Sequence, residues 1–290
     1  MDFKQIVLLA LQVSIIATVF GFGLNATVER LSALLRQPWL IVRSLIAVFV
    51  IMPVVALALV QWFDFSKAVN VVLFSLALSP VPPLLPQREG KSGGNVQIGI
   101  ALMAFLGLTS IVAVPAIIAV LERVVAREIT TPMSTIVGMV LKIVIAPLAA
   151  GMILRAVAPA VATRLEKIAA ILSRVLLPIA ALVLIAGTAS AIWQATGVGS
   201  LVGLSLFVVV GLVVGHVFGG PDPEHAVVLA LSTACRHPAI ALTIATSNAP
   251  NEPVAGTILL YLILNLVLAI PYVLWQKARF ARMQPAGVAR

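Results

Sequence analysis

The chain has 290 residues, 61% of them hydrophobic and 10% charged, with 19 Lys and Arg against 10 Asp and Glu. A soluble domain carries about a quarter charged residues, so this composition excludes one and describes an integral membrane protein. The basic residues sit in short connections between apolar runs, which ties their excess to membrane topology rather than to a nucleic-acid partner.

Crossing about 30 Å of hydrocarbon takes roughly 20 residues of helix. Nine apolar runs meet that length: 4–24, 38–62, 68–86, 95–121, 133–158, 168–193, 199–218, 226–248 and 253–276. The first follows Asp2 and Lys4 without a basic leader or a small-residue cleavage site, and is expected to be a retained span. After it, the connection 25–37 sets Val28, Leu31, Leu34 and Leu35 at helical spacing opposite Glu29, Arg30 and Arg36, the pattern of a helix lying on the membrane surface. Its sequon, Asn25-Ala26-Thr27, then faces the cytoplasm and carries no glycan. Trp39, Trp62, Trp193 and Trp275 fall at span ends, as interfacial anchors do.

Two of the runs are interrupted. The third breaks at Ser79-Pro80-Val81-Pro82-Pro83 and the eighth at Thr233-Ala234-Cys235-Arg236-His237-Pro238. Irregular backbone in lipid leaves N–H and C=O groups unsatisfied, so it persists only where protein encloses it. A pair of interrupted helices, one in each half, marks a secondary transporter whose site lies at the interruptions. Leu76-Ala77-Leu78-Ser79 precedes the first break and Leu229-Ala230-Leu231-Ser232 the second. The expected fold is therefore all-α, a single membrane domain of nine transmembrane helices in two inverted repeats of four and five. Repeat one is 1–121, repeat two is 133–276 with 133–158 unmatched, and 277–290 is a basic cytoplasmic tail.

Orientation follows from the basic residues. Arg30, Arg36, Arg43, Arg88, Lys91, Arg155, Arg164, Lys167, Arg174, Lys277, Arg279, Arg282 and Arg290 fall on one side, and Lys4, Lys67, Arg123 and Arg127 on the other. The amino terminus is expected outside and the carboxyl terminus in the cytoplasm, in a multi-pass protein of the cell (inner or plasma) membrane.

Lys142 and Arg236 are left inside the membrane, and no Asp or Glu lies within any of the nine runs. An arginine at mid-membrane must face protein, water or an anion. Arg236 either binds an anionic substrate or donates to free carbonyls of the crossovers and holds them together. His237 is a proton carrier or a neutral hydrogen-bonding residue. Ser79, Ser232 and Thr233 suit substrate or helix-capping bonds. Asn95 caps the helix that starts at Val96, or joins the site; Gln97 is a lone polar residue able to face a cavity. Lys142 snorkels or lines the substrate path. His216 and His225 flank the loop at 219–223 and are expected at the surface. A membrane enzyme would need a carboxylate that this inventory lacks, and a channel would need a polar stripe absent from most spans.

At the two breaks the chain resembles the bile acid:sodium symporter family, within the superfamily that also holds arsenite and riboflavin transporters. Gly21-Phe22-Gly23-Leu24, Arg36-Gln37-Pro38 and Met52-Pro53 are similar to its early segment. The run from Ser79-Pro80 to Lys91-Ser92-Gly93-Gly94-Asn95-Val96 keeps the spacing of its first crossover, and Cys235-Arg236-His237-Pro238-Ala239-Ile240 takes the place of its second. The resemblance implies alternating access and a small or amphipathic organic anion as substrate. The departures are chemical. At the Ser-Asn positions that the family uses for sodium stand Leu85 and Pro86, and at its next hydroxyl positions Gly99 and Met103. Ser232 takes the place of its Glu, and Arg236-His237 that of its Gln-Asn pair. Sodium needs several hard oxygen ligands, which argues against a sodium ion here, and no cofactor or metal site is expected. Arsenite export, a sodium-dependent bile acid-type symporter and a non-transporting scaffold are the alternatives; the superfamily's arsenite thiol belongs at the first break, where Ser79 stands. The expected partners are a small organic anion, the lipid bilayer and a second copy of the chain.

Overall fold

The computed structural model describes residues 3–26, 32–125 and 133–283, and among these all regular structure is helical. In chain order the elements are α1 (Phe3–Asn25), a short 3-10 turn (Ala33–Arg36), α2 (Pro38–Trp62), α3 (Lys67–Leu78), α4 (Leu85–Lys91), α5 (Val96–Val125) and α6 (133–157). Then come α7 (Pro159–Gly187), α8 (Ala189–Ala195), α9 (Val198–Gly219), α10 (Pro223–Ala234), α11 (Pro238–Asn248) and α12 (Val254–Met283). Among the described residues six helical segments are long and apolar enough to cross a membrane: Pro38–Trp62, Val96–Arg123, Val137–Val157, Val198–Gly219, Pro223–Asn248 and Val254–Arg282. Gln12–Asn25 and Lys67–Leu78 are shorter apolar helices. This is a multi-pass membrane protein. Trp39, Trp62 and Trp193 are exposed at or near helix ends, and Trp275 is exposed within α12, two turns before its end at Met283.

Proline sets the local geometry. A helix interior that meets proline loses one backbone donor and must rearrange the turn before it. In α2 the turn Ala47–Ile51 widens to π geometry just ahead of Pro53, so that the Met52 amide bonds the carbonyl of Ala47, five residues back. In that register the Val48 carbonyl would take its donor from residue 53, and proline has none. The same happens ahead of Pro147, where Val140–Ile145 is a π turn and the Ala146 amide bonds Leu141. Elsewhere proline starts helices: Pro223 follows the Asp222 cap, whose Oδ1 accepts from the Glu224 amide at 2.8 Å, and Pro238 follows His237.

Two packing groups result. In one, α1 lies against α6 and α7; the other gathers α2 to α5 with α9 to α12. Helices α5 and α6 touch where the groups meet. Glycine permits the closest approaches. A Cβ on Gly23 of α1 would collide with the Leu148 carbonyl of α6, and one on Gly215 of α9 with the Leu229 carbonyl of α10.

Several expectations change. The arm after the first break does not end at Pro86 but runs as α4 to Lys91, because proline in a first turn begins a helix rather than stopping one. That brings Glu89, at 1% exposure, into the protein interior, so the expectation of an interior without carboxylates is wrong. Arg88, counted among the loop charges, reaches into the core as well. The sixth run begins at Pro159 rather than 168, its first turns held by Arg155 to Glu166 at 2.7 Å. Helix α12 continues to Met283, so Lys277, Arg279 and Arg282 are helical. His216 is half-buried: its Nδ1 lies 3.0 Å from the Tyr272 hydroxyl, with its ring against Trp275. Residues 27–31 of the surface helix, with Thr27 of the sequon, lie outside the described residues, as do Arg127 and 284–290 of the tail.

Gly215→Val is expected to lower stability by at least about 1–3 kcal/mol, since its neighbour is backbone and cannot yield. Gly138→Val opens on empty space and should stay within about 0.5 kcal/mol of the parent. Thermal unfolding of both variants in detergent checks the contrast.

Candidate functional site

The first crossover is the extended stretch between α3 and α4; the second is Cys235, Arg236 and His237 between α10 and α11. They meet: the His237 amide donates to the Pro80 carbonyl at 2.8 Å. Four helix ends converge there, and each leaves backbone groups without helical partners. The structure supplies those partners from side chains.

Arg236 does most of this. Its guanidinium is 1% exposed; Nη1 donates to the Ser79 carbonyl at 3.3 Å and Nη2 to the Val48 carbonyl at 3.2 Å. The first acceptor is the open end of α3. The second is the carbonyl that Pro53 leaves unserved in α2. One planar group, with donors fixed in a fork, thus joins the first crossover, the second crossover and α2. Its Nε has no hydrogen-bond partner, and among the described residues no ion pair to a carboxylate involves it.

Helix α12 secures the other side. Tyr261 and Asn265 lie one turn apart and point at the end of α10. The Tyr261 hydroxyl accepts from the Arg236 amide at 2.8 Å and donates to the Ala234 carbonyl at 2.9 Å, which also takes Asn265 Nδ2 at 3.0 Å. Asn265 Oδ1 accepts from Cys235 Sγ at 3.1 Å and from Arg88 Nη1 at 3.1 Å. Arg88 Nη2 adds bonds to the carbonyls of Asn265 and Leu266. Cys235 is thereby a buried thiol hydrogen-bonded within the core. Two guanidinium groups flank the second crossover.

Of the residues read from the sequence, Ser79, Ser232, Thr233, Arg236 and His237 lie at or beside the crossing, while Asn95 and Gln97 lie at the start of α5. Ser79 Oγ donates back to Leu76 O at 2.9 Å and closes its own helix end. His237 Nδ1 accepts from the Ile240 amide at 3.4 Å and caps α11, which leaves the ring proton on Nε2. Ser232 Oγ donates to Glu89 Oε1 at 2.8 Å, and Thr233 Oγ1 is buried without a partner. Asn95 Oδ1 caps α5 by accepting from the amides of Gln97 and Ile98, while its Nδ2 donates to Glu224 at 3.2 Å. Gln97 Oε1 is buried and unpartnered. Lys142 stands apart. It is exposed on the π turn of α6, in an apolar groove of about 490 Å³ between α1 and α6 walled by Val13, Ala17, Phe20 and Pro147.

Sequence reasoning missed Glu89, Val48, Tyr261, Asn265 and Arg88. Met52-Pro53 inside an apolar run was the available signal for Val48. Gly99 confirms the place of Glu89, because a Cβ there would collide with Glu89 Oε2. The positions where the resemblance expects sodium ligands are thus filled by this chain itself. Leu85 and Pro86 offer no side-chain oxygen, Glu89 lies over Gly99 and against Ser232, and Arg236 puts a fixed cation at the second crossover. No group of three or more His, Cys, Asp or Glu fit to hold a metal ion occurs among the described residues.

The sequence model of the Sodium Bile acid symporter family matches residues 12–217, a stretch that contains the first crossover and ends before the second. No curated protein matches the chain.

Tyr261→Phe removes the acceptor of the Arg236 amide and one donor to Ala234. An orphaned buried amide costs about 1–3 kcal/mol, and the variant's melting temperature in detergent is expected to fall accordingly.

Proposed function

Because the chain belongs to the sodium bile acid symporter family, we propose that it is a secondary carrier of a small or amphipathic organic anion that works without sodium. The observation that carries this reading is Arg236. A guanidinium buried at the crossing, bonded to neutral carbonyls and not to a carboxylate, leaves positive charge where two helices are broken. In a low-dielectric interior such a charge attracts an anion strongly, and Arg88 beside Cys235 adds to it. The same guanidinium bridges carbonyls that a bound cation would otherwise bridge, which removes the need for one.

Alternating access follows from the packing. In this reading the α1, α6 and α7 group moves against the larger group around the crossovers, whose separate packing supports it; nine spans in two inverted repeats with the amino terminus outside belong to the same proposal. Carboxylates, keto acids and steroid acids fit a site with a fixed cation among apolar walls. The arsenite alternative loses ground, since the lone thiol is committed to Asn265.

Full-length protein in proteoliposomes decides the matter, with labelled 2-oxoglutarate and taurocholate offered under a sodium gradient, a proton gradient and neither. At least one anion is expected to enter saturably without sodium. Arg236→Gln should weaken its half-saturation by about thirtyfold or more, equivalent to about 2 kcal/mol for a lost buried charge contact. Unchanged uptake in that variant would remove the anion role of Arg236, and dependence on sodium would remove the ion-free reading.

A further inference from the structure

Glu89 sits in the middle of α4 and points between α5 and α10. Oε1 accepts one hydrogen bond, from Ser232 on α10. Oε2 is buried, has no hydrogen-bond partner and lies against the bare Cα of Gly99 on α5. Burying an ionised carboxylate against one hydroxyl and a glycine leaves its desolvation largely uncompensated. A neutral acid in the same place carries no such penalty.

The charged groups around it do not supply the missing cation. On α4 itself Arg88 turns to Asn265 and Leu266, and Lys91 is exposed. Helix α5 carries no charged residue between Val96 and Glu122. On α10, Glu224 is held by Asn95 and His225 pairs with Asp222, both at the helix start, two turns from Ser232. At the second crossover Arg236 is engaged by Ser79 and Val48, His237 caps α11 and the Cys235 thiol is bonded to Asn265. Tyr261 on α12 is engaged by the Arg236 amide and Ala234. Among the described residues no ion pair involves Glu89.

The geometry points to Glu89 as the proton-binding site that couples transport: the closed arrangement of α4, α5 and α10 forms only when Oε2 carries a proton, and the ionised carboxylate is confined to arrangements open to water. This rests on the carrier reading above. The step is a simple protonation. One proton from water on the loading side adds to a carboxylate lone pair, the charge falls from minus one to zero, and the same O–H breaks to water on the opposite side. The Ser232 bond makes the closure bridge both discontinuous helices, since α4 is an arm of the first and α10 of the second. Lower pH on the loading side therefore favours closure and flux.

Two measurements on the full chain in bilayers test this, and they fail independently of each other. Infrared difference spectra without any added anion should show a protonated-carboxyl band that is absent in Glu89→Gln and displaced in Ser232→Ala; Gly99→Ala should also displace it by crowding Oε2. In proteoliposomes, a pH gradient should drive taurocholate or 2-oxoglutarate accumulation in the parent. In Glu89→Gln the ratio of flux with and without the gradient should fall to about one, because no titrating group then distinguishes the two sides. A parent spectrum without the band, a band that survives in Glu89→Gln, or gradient-driven accumulation that survives in that variant overturns the proposal. So does accumulation driven by sodium, with Glu89 as its ligand. If the band is present but the parent carries neither anion, the organic-anion reading fails while the proton site stands.

Discussion

A guanidinium that donates to backbone carbonyls at the meeting point of two broken helices is the interaction on which the rest of this structure depends. Helix ends inside a membrane protein expose carbonyls that lipid cannot serve. Arg236 serves one from α3 and one from the widened turn of α2, while its amide is held by Tyr261 from α12. Remove that fork, and Ser79 and Val48 become orphaned acceptors in the core. The two crossovers would then keep a single direct backbone bond, from His237 to Pro80. Arginine suits the task better than lysine, because its donors are fixed in one plane and reach two acceptors at once.

The chain belongs to the sodium bile acid symporter family, and its crossovers carry a distinctive set of side chains. Where the resemblance implies hydroxyls and amides, this chain has Leu85 and Pro86 at the start of α4 and Gly99 and Met103 on α5, and charged groups lie close by. A permanent cation sits at the second crossover. A carboxyl group sits on α4, beyond the first, over a glycine that leaves it room. Gly99 and Glu89 are matched: a side chain at 99 would crowd Glu89 Oε2.

Much of the fold was legible in the sequence because a bilayer permits few structures. Helix length, tryptophan near the ends and proline in apolar runs are constraints that act along the chain, and the two breaks were located to within two residues. The misreadings came from proline, whose effect depends on where it falls in a turn. Pro86 was taken as the end of a span although it opens α4, and this concealed Glu89. Pro53 was read as part of a motif although its consequence is a free carbonyl five residues earlier.

The sequence by itself determined an all-helical membrane protein with two interrupted helices and a charged residue at one interruption, because hydropathy and missing backbone donors are properties of local segments. Only the tertiary structure decided what that charge touches, which carboxyl group lies inside and which helix supplies the tyrosine and asparagine that close the second break. Those partners are separated by 25 to 188 positions along the chain, and no periodicity within a segment encodes a hydrogen bond across such a distance.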